Sequence, residues 1–103
     1  MLPEVASFLP ETIDEALSGL FSEKVRDAFY EKLRDTYSLR KEEIPNRLDD
    51  FIIALQRLFD GAAKPIERAI AKRLYMRLGF AYREVHSYGL IEYVNSPGTG
   101  AYA

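Results

Sequence analysis

The side chains able to do chemistry in this chain are few and do not converge. His86 is the single imidazole, and a metal site or a general base needs partners at a fitting spacing that no second histidine supplies. Glu42-Glu43 and Asp49-Asp50 are adjacent carboxylates. Neighbours in a helix diverge by about 100°, so neither pair aims at one metal or one proton. Asp49 and Asp50 instead suit the first turn of a helix, where negative charge complements the dipole. Ser22 has the character of a helix cap and no obvious base partner. Gly98 and Gly100 lie near the C-terminus, away from any strand-to-helix turn of the kind that cradles phosphate. With no cysteine, disulfides, thiolate zinc sites, iron–sulfur clusters and thiol catalysis drop out together. The expectation is a non-enzyme with no metal, no cofactor and no catalytic residues.

Charge gives a stronger pattern. The formal net charge of -2 hides an asymmetry. Residues 61–83 carry Lys64, Arg68, Lys72, Arg73, Arg77 and Arg83 against Glu67 alone, while the first 60 residues carry 13 acids against 8 bases. A basic helix suggests nucleic acid, with Lys64, Arg68, Lys72 and Arg83 as the contacts. At helical pitch Lys64, Arg68 and Lys72 fall on one line with Tyr75 beside them, whereas Arg73 and Arg77 fall on nearly the opposite side. One helix does not offer both rows to one phosphate backbone. The first row reads more simply as a solvated face. Arg73 and Arg77 read as cations whose stems follow the core edge while their heads pair with acids of the earlier helices.

The elements that hold these residues follow from apolar periodicity. In 103 residues there is room for one core. Thr12 and Glu15 have capping-box spacing and open a helix with Ile13, Ala16, Leu17 and Leu20, leaving residues 1–11 as an N-terminal arm. Ser22 caps a second helix over 23–37, with Val25, Phe29, Leu33 and Thr36 on the 3.6-residue period and Tyr30 and Tyr37 at the stripe's edge. Residues 38–46 form a connector pinned by Leu39 and Ile44, and Pro45 should keep a helix from running through it. Asn46 and Asp49 start a third helix with a strong face of Leu48, Phe51, Ile52, Leu55, Leu58 and Phe59, which Gly61 ends as a left-handed cap. A fourth helix spans Ala62 to Leu78 with Ile66, Ile70, Leu74 and Leu78 inside. Pro65 is tolerated in its first turn, and Gly79 stops it. Within 80–94 a short helix starting near Ser87 is favoured over a hairpin across His86–Gly89. Residues 95–103 read as a flexible tail. The fold class is therefore all-α: one domain over 12–94, a compact bundle of four helices plus a short C-terminal segment.

Two features exceed what such a core needs. Ile53 points away from the apolar face of the third helix, so either it is simply exposed or the C-terminal segment or another chain covers it. Six tyrosines, at 30, 37, 75, 82, 88 and 93, are too many for the middle of so small a core, and tyrosine is favoured at interfaces. Tyr30, Tyr37, Ile53 and Tyr75 are thus the candidate interaction surface, and a homodimer or a protein partner is the expectation. No apolar run approaches the ~20 residues a membrane span requires. The N-terminus, which carries Glu4 and no basic segment, does not read as a signal peptide, and a cytoplasmic location follows. Two Asn and one Gln against 30 charged residues is a bias shared with proteins of hot environments.

The segment from Ile13 to Gly79 resembles a family. Its words are Ile13-Asp14-Glu15-Ala16-Leu17, then Val25 to Tyr37 ending in Asp-Thr-Tyr, and Lys41-Glu42-Glu43-Ile44-Pro45. The second half adds Phe51 to Phe59, Gly61-Ala62, Ile66-Glu67, Ile70, Lys72-Arg73-Leu74-Tyr75 and Leu78-Gly79. These resemble the small archaeal all-helical Nitrosopumilus-type output domain of signal-transduction proteins, over about two-thirds of the chain. Phe21 and Asp60 stand where that pattern has glycine. The resemblance implies a prokaryotic signalling interaction module and brings no catalytic residues with it.

Overall fold

A computed structural model describes residues 1–95, and every described element is helical. α1 spans Pro3–Leu20, α2 Glu23–Tyr37, α3 Leu48–Phe59, α4 Ala63–Leu78 and α5 Leu90–Asn95, with 3₁₀ turns at Lys41–Asn46 and Asp60–Ala62. Of the expected tail, Asn95 closes α5, and residues 96–103 lie outside the described residues. α4 is the central rod, packed against α1, α3 and α5.

The first helix is twice as long as its capping-box signal implies. Residues 1–11 are not an arm, because helix begins at Pro3 and continues through Pro10. The reason is burial. Val5, Leu9, Ile13 and Leu17 recur every four residues and are fully buried, with Thr12 and Ala16 beside them. That stripe outweighs an interior proline that costs a helix ~3 kcal/mol. Thr12 caps nothing. Its hydroxyl donates back to the Phe8 carbonyl at 2.7 Å, the usual solution for a buried threonine inside a helix.

α2 begins as expected, with the Val25 N–H donating to Ser22 Oγ at 3.2 Å. Its stripe is narrower than its period suggests: Phe29 and Leu33 are buried, whereas Val25 and Thr36 are exposed. Leu39 and Ile44 are buried and pin the connector. A 3₁₀ turn nevertheless runs through Pro45. At its two ends Glu43 N–H donates to the Arg40 carbonyl and Arg47 N–H to the Ile44 carbonyl, so bonds on either side of Pro45 hold the turn without a proline N–H. α3 starts at Leu48, not at an Asn46 cap. Arg47 joins the two helix ends, donating to Asp50 at 3.0 Å and to the Tyr37 and Ser38 carbonyls at 3.1 and 2.6 Å. A cation thereby sits on the negative end of α2, and Asp50 sits in the first turn of α3.

At the end of α3 it is Asp60, not Gly61, that turns left, at φ 48° and ψ -118°. Gly79 does take the left-handed cap of α4, at φ 78°. The C-terminal segment resolves as the short helix α5 and no hairpin, but it starts at Leu90, beyond Ser87. Two carboxylates seat its first turn. Glu92 accepts from the Gly89 N–H at 2.6 Å, and Glu67 of α4 accepts from the Leu90 N–H at 3.0 Å.

Candidate interaction surfaces

The four residues expected to form one interaction surface do not share a surface. Tyr75 is only 1% exposed. The apolar stripe of α4 is wider than Ile66, Ile70 and Leu74. A second seam of Ala63, Glu67, Ala71 and Tyr75 is buried as well, because α5 packs along it. Tyr75 donates its hydroxyl to the Tyr93 carbonyl at 2.8 Å. Its ring meets Tyr93, Tyr82 and Phe80 edge-on at centroid distances of 5.6, 6.0 and 6.0 Å, and Tyr82 and Tyr88 each lie 5.1 Å from Tyr93. Four of the six tyrosines that seemed too many for the core, Tyr75, Tyr82, Tyr88 and Tyr93, thus build an aromatic end of that core. The Tyr93 hydroxyl holds the irregular stretch before α5, accepting from Val85 N–H at 2.9 Å and donating to the Arg83 carbonyl at 2.8 Å. Burial raises the phenols of Tyr75 and Tyr82 above the ordinary range, Tyr93 adding to both.

Tyr30 and Tyr37 are half-buried. The Tyr30 hydroxyl is shut off from solvent with no hydrogen-bond partner among the described residues, and Lys41 Nζ sits 4.5 Å from its ring centre. Burial, then the charge of Asp14, raises its phenol strongly. Ile53 is 43% exposed and the C-terminal segment does not cover it, since α5 lies on α4.

The basic row is also redistributed. Arg68 donates to the His86 carbonyl at 2.7 Å and lies 3.7 Å from Glu84, so it fastens the turn at 86–87. The His86 side chain stands exposed at that turn. Lys64 and Arg83 are exposed. Lys72 lines one groove together with Arg73 and Arg77. The structure therefore brings together three cations that the helical projection separates, and it parts Lys72 from Arg68. Arg77 is held by α1, as expected for the core-edge row: it pairs with Glu15, lies 3.2 Å from Glu11 and covers the Phe8 ring at 5.6 Å. Arg73 crosses the last turn of α1 at Gly19, placing positive charge where that helix has no basic residue of its own.

Three surface hollows remain. The groove between α1 and α4 has a volume of about 590 Å³ and is lined by Glu15, Ala69, Lys72, Arg73, Met76 and Arg77. A smaller hollow of about 240 Å³ lies between α2 and α3, lined by Val25, Ala28, Phe29, Lys32, Leu58 and Phe59. Val25 and Leu58 stand 44% and 37% exposed there. Beneath them Phe59 packs on Phe29 at 5.3 Å and stacks on Phe21 at 5.1 Å. A third hollow, at Tyr30, Arg34, Arg40, Lys41 and Glu42, is lined mainly by charged side chains.

The sequence reading missed Glu67 and Met76. Glu67 was legible as a carboxylate on an apolar stripe, three residues before Ile70 and seven before Leu74. Met76 carried no such signal. Among the described residues no three His, Asp or Glu side chains gather to hold a metal ion, and no helix is long and apolar enough to cross a membrane. Compared with known proteins, the chain matches no family model, no curated relative and no solved structure.

Proposed function

We propose that this chain is a non-catalytic interaction domain that pairs with a second copy of itself through the α2–α3 hollow. The observation that carries the reading is Val25 and Leu58, two aliphatic side chains left in solvent beside a hollow floored by Phe29 and Phe59. Projecting side chains and hollow lie on one patch. That is the condition for a two-fold contact in which each copy supplies both halves. Completing the burial of the two aliphatics contributes ~1 kcal/mol each per copy, a fraction of the 1.5–3 kcal/mol for a fully exposed side chain. A domain of this size gains from such help. The resemblance to archaeal output domains supports a place in signal transduction and a cytoplasmic setting.

Sedimentation equilibrium tests the pairing. Wild-type protein is expected to run as a dimer, and the double variant Val25→Glu/Leu58→Glu as a folded monomer. A wild type that stays monomeric at high concentration removes the proposal.

A further inference from the structure

We propose that the groove between α1 and α4 is a second docking site, independent of self-pairing, and that its occupant is an acidic amphipathic helix of a partner protein. The groove has the volume of a ligand site, about 590 Å³, and its two kinds of lining select that chemistry. Ala69 and Met76 are seven residues apart on α4, so they mark a two-turn apolar line of ~10 Å along the helix. Met76 is 70% exposed, the most exposed large apolar side chain described. A flexible thioether in that position suits the varied apolar face of an incoming helix. Lys72 and Arg73 flank this line. Arg77 is taken by Glu11 and Glu15, but no carboxylate of the described residues lies within ion-pair distance of Lys72 or Arg73. The groove thus offers, beside an apolar line, Lys72 and the outward side of Arg73, neither paired with a carboxylate of the described residues, and a helix with acids beside its apolar stripe complements both.

Nucleic acid fits less well. Binding to a phosphate backbone is driven by many phosphate neutralisations, and Arg68, the central member of the basic row, is already spent on Glu84 and His86.

The test is fluorescence anisotropy on the full chain with a labelled synthetic helix carrying leucines at i, i+3, i+4 and i+7 and glutamates beside them. The same peptide with lysines for glutamates, and a labelled DNA oligonucleotide, serve as the contrasting probes. The acidic peptide is expected to bind. Lys72→Glu/Arg73→Glu should weaken it by at least about tenfold, as should Met76→Asp, while Lys64→Glu on the other face leaves it unchanged. Circular dichroism identifies any variant that fails to fold, and for it Lys72→Ala/Arg73→Ala is read in its place. Because the peptide site lies away from Val25 and Leu58, Val25→Glu/Leu58→Glu should bind the peptide as wild type does. The proposal is overturned if the acidic peptide does not bind, if the lysine peptide binds as well, if the groove variants leave affinity unchanged, or if only the oligonucleotide binds and loses affinity on charge reversal.

Discussion

Glu67 is 4% exposed and accepts a hydrogen bond from the backbone of another helix. Replacing it with leucine removes the side-chain hydrogen bond by which α4 holds the Leu90 N–H at the start of α5. A bond to a charged acceptor contributes ~1.5–3 kcal/mol, and its loss leaves the buried Leu90 N–H without a partner. The two effects are one event seen from both sides, so the expected cost is ~2–3 kcal/mol. For a domain of this length that lowers Tm by about 10 °C or more. Glu67→Gln keeps an acceptor oxygen and should cost about 1 kcal/mol. Gly89→Ala attacks the same contact from the other side. A Cβ there would stand 2.5 Å from Glu67 Oε1 and 3.3 Å from Glu92 Oε1, so both carboxylates that seat α5 would be pushed off, at ~2 kcal/mol. The decisive assay is a double-mutant cycle by urea unfolding. Glu67→Leu and Gly89→Ala together should cost clearly less than their sum, since the first change removes what the second disrupts. Hydrogen exchange at the Leu90 amide should quicken in both single variants. Additive costs, or a Glu67→Leu variant within about 0.5 kcal/mol of wild type, would refute the reasoning.

Three further perturbations have signs fixed by the structure. Asp60→Gly should stabilise by about 1 kcal/mol, read as a rise in Tm, because φ 48° with ψ -118° belongs to glycine and no side-chain hydrogen bond or ion pair of the described residues holds the aspartate there. Tyr93→Phe should cost ~2 kcal/mol in urea unfolding, because it orphans the Val85 N–H and the Arg83 carbonyl while leaving the ring contacts in place. Tyr30, Tyr75 and Tyr82 have phenols raised above the ordinary value by burial first, so the folded state holds their protons more tightly than the unfolded chain does. Their contribution is fully present below the ordinary phenol pKa of ~10 and is lost as pH climbs above it. Absorbance at the phenolate band should therefore show a late-titrating group of tyrosines coincident with alkaline unfolding, and full titration of every tyrosine near pH 10 in folded protein would contradict this.

Where the sequence was legible, one local signal stood unopposed. Ser22 before a clean period gave α2 its observed bounds, and Gly79 gave α4 its end. Where it misled, two signals competed and the longer-range one won. Thr12 and Glu15 do form a capping pattern, yet Val5 and Leu9 lie on the continuation of the Ile13–Leu17 stripe, and burying them outweighs both the cap and Pro10. Pro45 did forbid an α-helix, but a short 3₁₀ turn held by bonds on either side of it tolerates the missing N–H. Tyr75 misled most, because a single helical projection assumes one buried side. α4 has two, and the second is created by α5, whose own existence depends on the tyrosines it covers. That circularity lies in tertiary packing and not in any window of sequence. The α2–α3 hollow was half visible, as Leu58 and Phe59 closing a strong stripe. That Val25 would stay in solvent depended on how α2 rolls against α3.

The surplus charge of residues 61–83 means less for binding than its size suggests, because the fold disposes of most of it. Arg77 is committed to α1, Arg68 to the turn before α5, and Arg73 lies over the last turn of α1, where the helix dipole favours it. Basic residues are needed in this segment because α4 packs against an acidic first helix and must anchor a loop that begins with Glu84. Only after those roles are subtracted does an interaction signal emerge, and it is local: Lys72 and the outward side of Arg73, on either side of an exposed methionine. A count of lysines and arginines along the helix therefore points at the wrong face. Lys64, Arg68 and Arg83 carry as much formal charge as the groove does, but no apolar floor accompanies them, and a partner helix binds where charge and exposed apolar surface coincide.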